Sequence, residues 1–151
     1  LNIITHKNLI ILDDTYNSSP KAALESIKTL IDLGKNKQKI AVLGEMRDLG
    51  AKSQEAHTAL GQFIAKTRIN YLVTIGNVAS ICASSAKKAK FSGKIISCKN
   101  TKEAAKIIKK LTNRKSLVLI KGSRHEHLER IVYALLGKST HVVCYHCGTL
   151  S

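Results

Sequence analysis

The chain has 151 residues, 44% of them hydrophobic, and 25 Lys and Arg against 10 Asp and Glu give a formal net charge of +15. That length suits one domain with its own core. No run approaches the ~18 uninterrupted apolar residues of a membrane span, and no charged-then-apolar signal segment opens the chain.

A strand-like run begins almost at Leu1, and Asn8 to Leu12 (NLIIL) reads as a buried strand. A polar turn follows, Asp13 to Ser19, with Asn17 or a serine as helix N-cap. Pro20 then suits a first helical turn, where its missing N–H costs nothing. Leu24, Ile27, Leu30 and Ile31 recur at helical spacing, with Gly34 as C-cap. The unit repeats: a strand at Lys39 to Leu43 ends at Gly44, and a helix from about Ser53 carries Ala56, Leu60, Phe63 and Ile64. Tyr71 to Ile75 is a strand ending at Gly76, with a helix over about Asn77 to Lys88. Lys94 to Ser97 is a short strand, and Thr101 caps a helix carrying Ala104, Ile107, Ile108 and Leu111. Ser116 to Ile120 is a strand, Lys121 to Ser123 a turn, and Arg124 to Leu136 the last helix. Five strand-then-helix units with strands apolar on both faces predict a three-layer α/β fold, a mostly parallel Rossmann-like sheet with helices on both faces.

In such a sheet, ligands bind beyond the carboxyl ends of the strands. There the chain places Asp13-Asp14-Thr15-Tyr16-Asn17, Gly44-Glu45-Met46-Arg47, Gly76-Asn77 and Lys121-Gly122-Ser123-Arg124. Glycines admit a ligand to the backbone, and helix starts favour anions. Each element also has a plain reading: Asp-Asp and Asn-Ser-Ser-Pro as a turn and cap, Gly44 and Gly122 as sharp turns, His57 as a packed or surface histidine, and His125-Glu126-His127 as a solvated helix start. No P-loop, G-x-G-x-x-G or Gly-x-Ser-x-Gly is present, so the rim binds without a complete catalytic apparatus, and we assign no catalytic residue and no metal ligand.

The positive charge reads as solvated lysines (Lys35, Lys37, Lys39, Lys87, Lys88, Lys90, Lys106, Lys109, Lys110) rather than a nucleic-acid patch. Aromatics are only 4% with no Trp, so stacking platforms are missing. Cys82 and Cys98 read as small core residues of a reducing compartment. Cys144 and Cys147, with His141 and His146, crowd one terminal stretch and lack the second ligand pair a zinc site needs.

Together the segments resemble the C-terminal domain of the Mur ligases, over roughly Asn8 to Gly137. IILDDTYNSSPKAALESI resembles that family's D-D-[ST]-Y-N-A-N-P motif, with Ser18-Ser19 in place of Ala-Asn. IAVLGEMRDLGAKSQEAH resembles I-A-V-L-G-D-M-x-E-L-G, with Glu45 for Asp. LVTIGNVASI matches a strand-Gly-helix unit, and VLIKGSRHEHLERIV resembles V-L-V-K-G-S-R with a following M-E-R, His125-Glu126-His127 replacing a more apolar stretch.

The resemblance implies residues 1–137 as one domain of a longer, cytoplasmic, ATP-dependent amide ligase of peptidoglycan synthesis, with 138–151 an unassigned tail. A start at Leu1 rather than Met accords with a piece of a longer polypeptide. It is most like the branch that adds D-Ala-D-Ala to a UDP-N-acetylmuramoyl tripeptide through an acyl phosphate. The implied cofactors are ATP and Mg2+, held mainly by a central domain, and the implied partners are the two substrates and the N-terminal and central domains. Carried onto this chain, Asp13, Asp14, Tyr16 and Asn17 face the nucleotide. Glu45, Met46, Arg47, Lys121, Gly122, Ser123 and Arg124 line the site for the dipeptide, cationic side chains taking its carboxylate. Such a domain alone is expected to be inactive, contributing positioning and charge stabilisation. The alternatives are another Mur ligase with a different amino substrate, or a basic nucleic-acid-binding module.

Overall fold

In a computed structural model, which describes residues 1–139, six strands form one sheet in the order β1-β2-β6-β3-β4-β5. They are β1 (Asn2–His6), β2 (Leu9–Asp14), β3 (Gln38–Leu43), β4 (Tyr71–Ile75), β5 (Lys94–Cys98) and β6 (Ser116–Lys121). All neighbours run parallel except β1, which pairs antiparallel with β2. Strand β1 completes a hairpin whose two turn residues, Lys7 and Asn8, both have positive φ, the backbone that matches the twist of the flanking strands. Asn8 is therefore a turn residue and not the start of the strand.

Side chains alternate across the sheet because the strand repeat is two. Leu12, Ala41, Leu43, Leu72, Leu117 and Leu119 face one layer, built from Ala23, Ile27 and Leu30 of α1 (Pro20–Leu33), Leu60 and Ile64 of α2 (Ser53–Ala65), and Cys82 and Ala86 of α3 (Ser80–Lys88). Ile11, Ile40, Val42, Val73, Val118 and Ile120 face the other. That layer is built from Ala104 and Ile108 of α4 (Thr101–Leu111), and from Leu128, Ile131 and Val132 at and within α5 (Glu129–Leu135). The three-layer α/β arrangement expected from the sequence is the one formed.

Local corrections have physical causes. Helix α1 starts as expected, Ser19 Oγ accepting from Ala22 N–H and Pro20 taking the first position. Helix α4 is capped by Asn100, not Thr101: the Asn100 side chain accepts from Glu103 N–H at 2.9 Å. Helix α3 begins at Ser80, after a turn at Asn77. The last helical segment is broken: a single 3-10 turn, Arg124–Glu126, ends at His127 in the left-handed region (φ 53), and α5 begins only at Glu129.

Of the lysines read as solvated, Lys39 is 8% exposed. Its Nζ donates to the carbonyl of Gly34 at 3.1 Å, so the stem is buried while the head is met by backbone oxygen. Cys82 and Cys98 are buried and free, and burial pushes the Cys82 thiol up to about 12, which suits packing rather than reactivity. His141, Cys144, His146 and Cys147 lie outside the described residues.

Candidate functional site at the carboxyl ends of the strands

Strand order puts the ends of β2, β6 and β3 side by side. In the parallel register Asp14 pairs with Lys121, and Lys121 with Leu43. Three of the loops singled out in the sequence therefore meet across adjacent strands. The fourth, Gly76-Asn77, follows β4 on the other side of β3.

At the centre of this rim is a buried ion pair. Lys121 is 1% exposed, and its Nζ lies 2.7 Å from Asp14 Oδ2 and 2.7 Å from the carbonyl oxygen of Asn17. Ser26 Oγ, from α1, donates to the same Asp14 oxygen at 2.6 Å. Burial alone would raise the Asp14 pKa. The hydrogen bonds from Lys121 and Ser26, with the Lys121 charge, outweigh it and hold the carboxyl below its ordinary value. Lys121, expected among the dipeptide-binding residues, is thus engaged by Asp14 and the β2–α1 loop. Asp13 likewise turns inward on its own loop, accepting from Thr15 Oγ1 at 2.8 Å. Asn17 Oδ1 accepts from Ser18 N–H at 2.8 Å. Tyr16 is the exposed member, at 73%, and the Arg124 guanidinium sits 5.5 Å from its ring centroid, a cation–π approach that joins the β2 and β6 loops at the surface.

The β3 loop is tied down twice. Met46, expected at the ligand surface, is 1% exposed and belongs to the hydrophobic core. Its N–H donates to His57 Nε2 at 3.0 Å, while His57 Nδ1 is 2.7 Å from the carbonyl of Ser53. A ring that accepts at Nε2 and donates at Nδ1 is a brace between loop and α2, the packed reading of this histidine. The second tie is Glu126, whose Oε1 and Oε2 accept from Glu45 N–H at 2.9 and 2.8 Å and whose Oε2 accepts from Ser123 N–H at 3.2 Å. Burial pushes the Glu126 carboxyl above its ordinary value, the backbone hydrogen bonds opposing it.

Glu126 was read from sequence as part of a solvated helix start, and it is instead inside the rim. The S-x-x-E spacing of Ser123 and Glu126, a capping-box pattern, carried that signal, and its glutamate half is made, Glu126 Oε2 accepting from Ser123 N–H, while Glu126 N–H donates to the Ser123 carbonyl. The glycines serve this side chain. A Cβ on Gly44 would run into Glu126 Oε2, and one on Gly122 would run into Leu128 and come 2.8 Å from Glu126 Oε2. Gly44 and Gly122 thus clear space for the chain's own carboxylate. Ser123 is 5% exposed, and its buried Oγ has no hydrogen-bond partner within good geometry among the described residues. Arg47 and Arg124 are exposed and Glu45 is half-buried. With exposed Asp48 and the ring of Tyr16, they are among the side chains these loops present outward. Surface hollows of about 460 and 620 Å³ lie elsewhere, between α2 and α3 and at the amino ends of the strands.

Residues 1–124 match the family described as Mur ligase, glutamate ligase domain. The chain belongs to the Mur ligase family. This Mur ligase domain is 32% identical over 140 residues, 91% of its length, to the UDP-N-acetylmuramoyl-tripeptide--D-alanyl-D-alanine ligase of Buchnera aphidicola subsp. Acyrthosiphon pisum. It is 31% identical over 137 residues, 89% of its length, to the enzyme of the same name from Bacillus subtilis. It spans 29% of the length of each. Among solved structures, MurF from Acinetobacter baumannii superposes with a TM-score of 0.79 at 29% identity, over 91% of this chain and 30% of that one. MurF from Thermotoga maritima, solved in complex with ADP, gives 0.74 at 29% identity, again over 91% of this chain and 30% of that one. No described helix is long and apolar enough to cross a membrane.

Proposed function

We propose that residues 1–137 are the C-terminal domain of a MurF-type ligase, which adds D-Ala-D-Ala to a UDP-N-acetylmuramoyl tripeptide in the cytoplasm at the expense of ATP. The observation that carries this is the rim itself. Three loops from adjacent strands are locked to one another by the Lys121–Asp14 pair and by Glu126, leaving Tyr16, Arg47 and Arg124 exposed on one open surface. An open, pre-organised surface is what a domain needs if it supplies one wall of a site closed by another domain.

On this reading ATP supplies the phosphoryl group that activates the tripeptide carboxylate, and the amine of D-Ala-D-Ala displaces phosphate. The exposed Tyr16 ring and the rim around Asn17 fit a nucleotide, whereas Asp13 and Asp14 act behind them by holding the loop. Mg2+ would be held mainly by the central domain, as the family resemblance implies. For the dipeptide carboxylate, Arg124 and Arg47 replace Lys121 as the available cations, with Ser123 beside them. Glu45, Met46 and Gly122 contribute through backbone position.

The test is steady-state kinetics of the complete ligase carrying this domain, with D-Ala-D-Ala and single amino acids compared as acceptors. D-Ala-D-Ala is expected to be the preferred acceptor, and a single amino acid in its place would move the chain to another branch of the family. Ser123→Ala with Arg124→Ala is expected to raise KM for the dipeptide about tenfold or more, the loss of a charge-assisted contact. Unchanged kinetics would remove both residues from the site.

A further inference from the structure

Glu126 is absent from the set of residues that the family motifs single out, yet it joins two of the rim loops directly. Its carboxylate reaches Glu45 N–H with both oxygens and Ser123 N–H with one. Those partners lie on loops that follow different strands, β3 and β6, and Glu45 is 81 positions away in sequence. The space it fills is made for it: the atoms nearest a Cβ on Gly44 are all three of the Glu126 carboxyl group.

We propose that Glu126 is a positioning residue, a carboxylate clasp that holds the Glu45-Met46-Arg47 segment in register with Ser123-Arg124 so that the two exposed arginines face one ligand. The role of the clasp in dipeptide binding rests on the ligase reading, whereas the clasp itself does not. The Glu126 carboxyl is pushed up by burial and by the charge of Glu45, with Arg47 acting the other way. An acid whose folded pKa is raised contributes stability below its ordinary range and loses it as pH rises through the folded value. Burial thus works against ionisation while the hydrogen bonds from Glu45 N–H and Ser123 N–H work for it, and those bonds secure the position of the loops. It is carried on a short 3-10 turn that ends in the left-handed His127, a backbone conformation that a non-glycine residue adopts only when its surroundings impose it.

The chemistry predicts how substitutions behave. Glutamine keeps one oxygen that can stand where Oε2 stands, within reach of both N–H donors, and removes the ionisation. Alanine leaves both donors without an acceptor. Amide exchange and chemical shifts of this chain would be followed by NMR in E126A, E126Q and G44A. In E126A the amides of Glu45 and Ser123 are expected to exchange together, about tenfold faster or more, with E126Q close to the parent. G44A, whose new methyl expels the carboxylate, should reproduce E126A, and the double variant should add nothing further. Glu45 and Ser123 amides unchanged in E126A, or a G44A effect that adds to it, would overturn the clasp. If E126A does not fold, G44A and E126Q carry the same test. In the complete ligase, E126A should raise KM for D-Ala-D-Ala about tenfold while KM for ATP moves less than about threefold, and E126Q should restore most of it. Normal dipeptide kinetics in an E126A enzyme whose two amides have loosened would confine the clasp to loop geometry and overturn its role in binding. A parent enzyme that does not use D-Ala-D-Ala would instead count against the ligase reading, leaving the NMR result standing.

Discussion

Lys121 shows how a residue's role depends on what it meets. In sequence it stands at the end of an apolar strand beside Gly-Ser-Arg, the place for a substrate-binding cation. In the fold it is 1% exposed and paired with Asp14. Removing one member of a buried pair strands the other charge, so Lys121→Met is expected to destabilise the domain by about 3–5 kcal/mol in denaturant unfolding. Because the Asp14 pKa is lowered in the folded state, the stability it contributes is present above its ordinary value of 3.8 and lost as pH falls through the folded value. Asp14→Asn should accordingly flatten the acid limb of the stability profile, and an unchanged limb would mean that the pair does not titrate with unfolding. The residues here that sequence did not assign, Ser26 beneath Asp14 and Glu126 between the loops, have ordinary local readings as a helix serine and a surface acid. Glu45 lies 81 positions from Glu126 and Asp14 lies 12 from Ser26, so the local pattern offers only the S-x-x-E spacing of Ser123 and Glu126.

Elements were legible where periodicity and cap chemistry agree. Ser19-Pro20 opens α1 as its composition requires, and the apolar repeat of α2 faces the core. Two boundaries moved because neighbouring residues compete for one cap. Asn100 wins over Thr101, its amide oxygen accepting from Glu103 N–H while Glu103 Oε2 accepts from Lys99 N–H at 2.7 Å. Asn100→Ala should therefore cost about 1 kcal/mol in thermal or chemical unfolding, and Thr101→Ala only a few tenths. Equal losses would return the cap to Thr101. The broken last helix has a similar cause: the arrangement that buries Glu126 ends the 3-10 turn at His127, and α5 restarts beyond it. Strand β1 was legible as a strand-like run but not as half of a hairpin, since a turn of Lys7-Asn8 lacks the glycine that usually marks one.

On the ligase reading, the whole molecule is one wall of a site. It carries no P-loop, and its rim offers charge and shape rather than a nucleophile or a base. We expect the 151-residue chain alone to release no phosphate from ATP with both substrates present, whereas the complete ligase does so. Turnover by the isolated chain would refute the division of labour proposed above. What the sequence determined by itself was the alternation of strands and helices, the apolar faces that make three layers, and the motifs that place the chain among the Mur ligases. These depend on periodicity and local spacing, which are written along the chain. Tertiary structure alone decided that β6 inserts between β2 and β3, that Lys121 is engaged by Asp14 and by the carbonyl of Asn17, 104 positions away, and that Arg47 and Arg124 stay exposed. The reason is physical: whether a charge is available depends on desolvation and on its nearest counter-charge, and both are set by segments that only folding brings together.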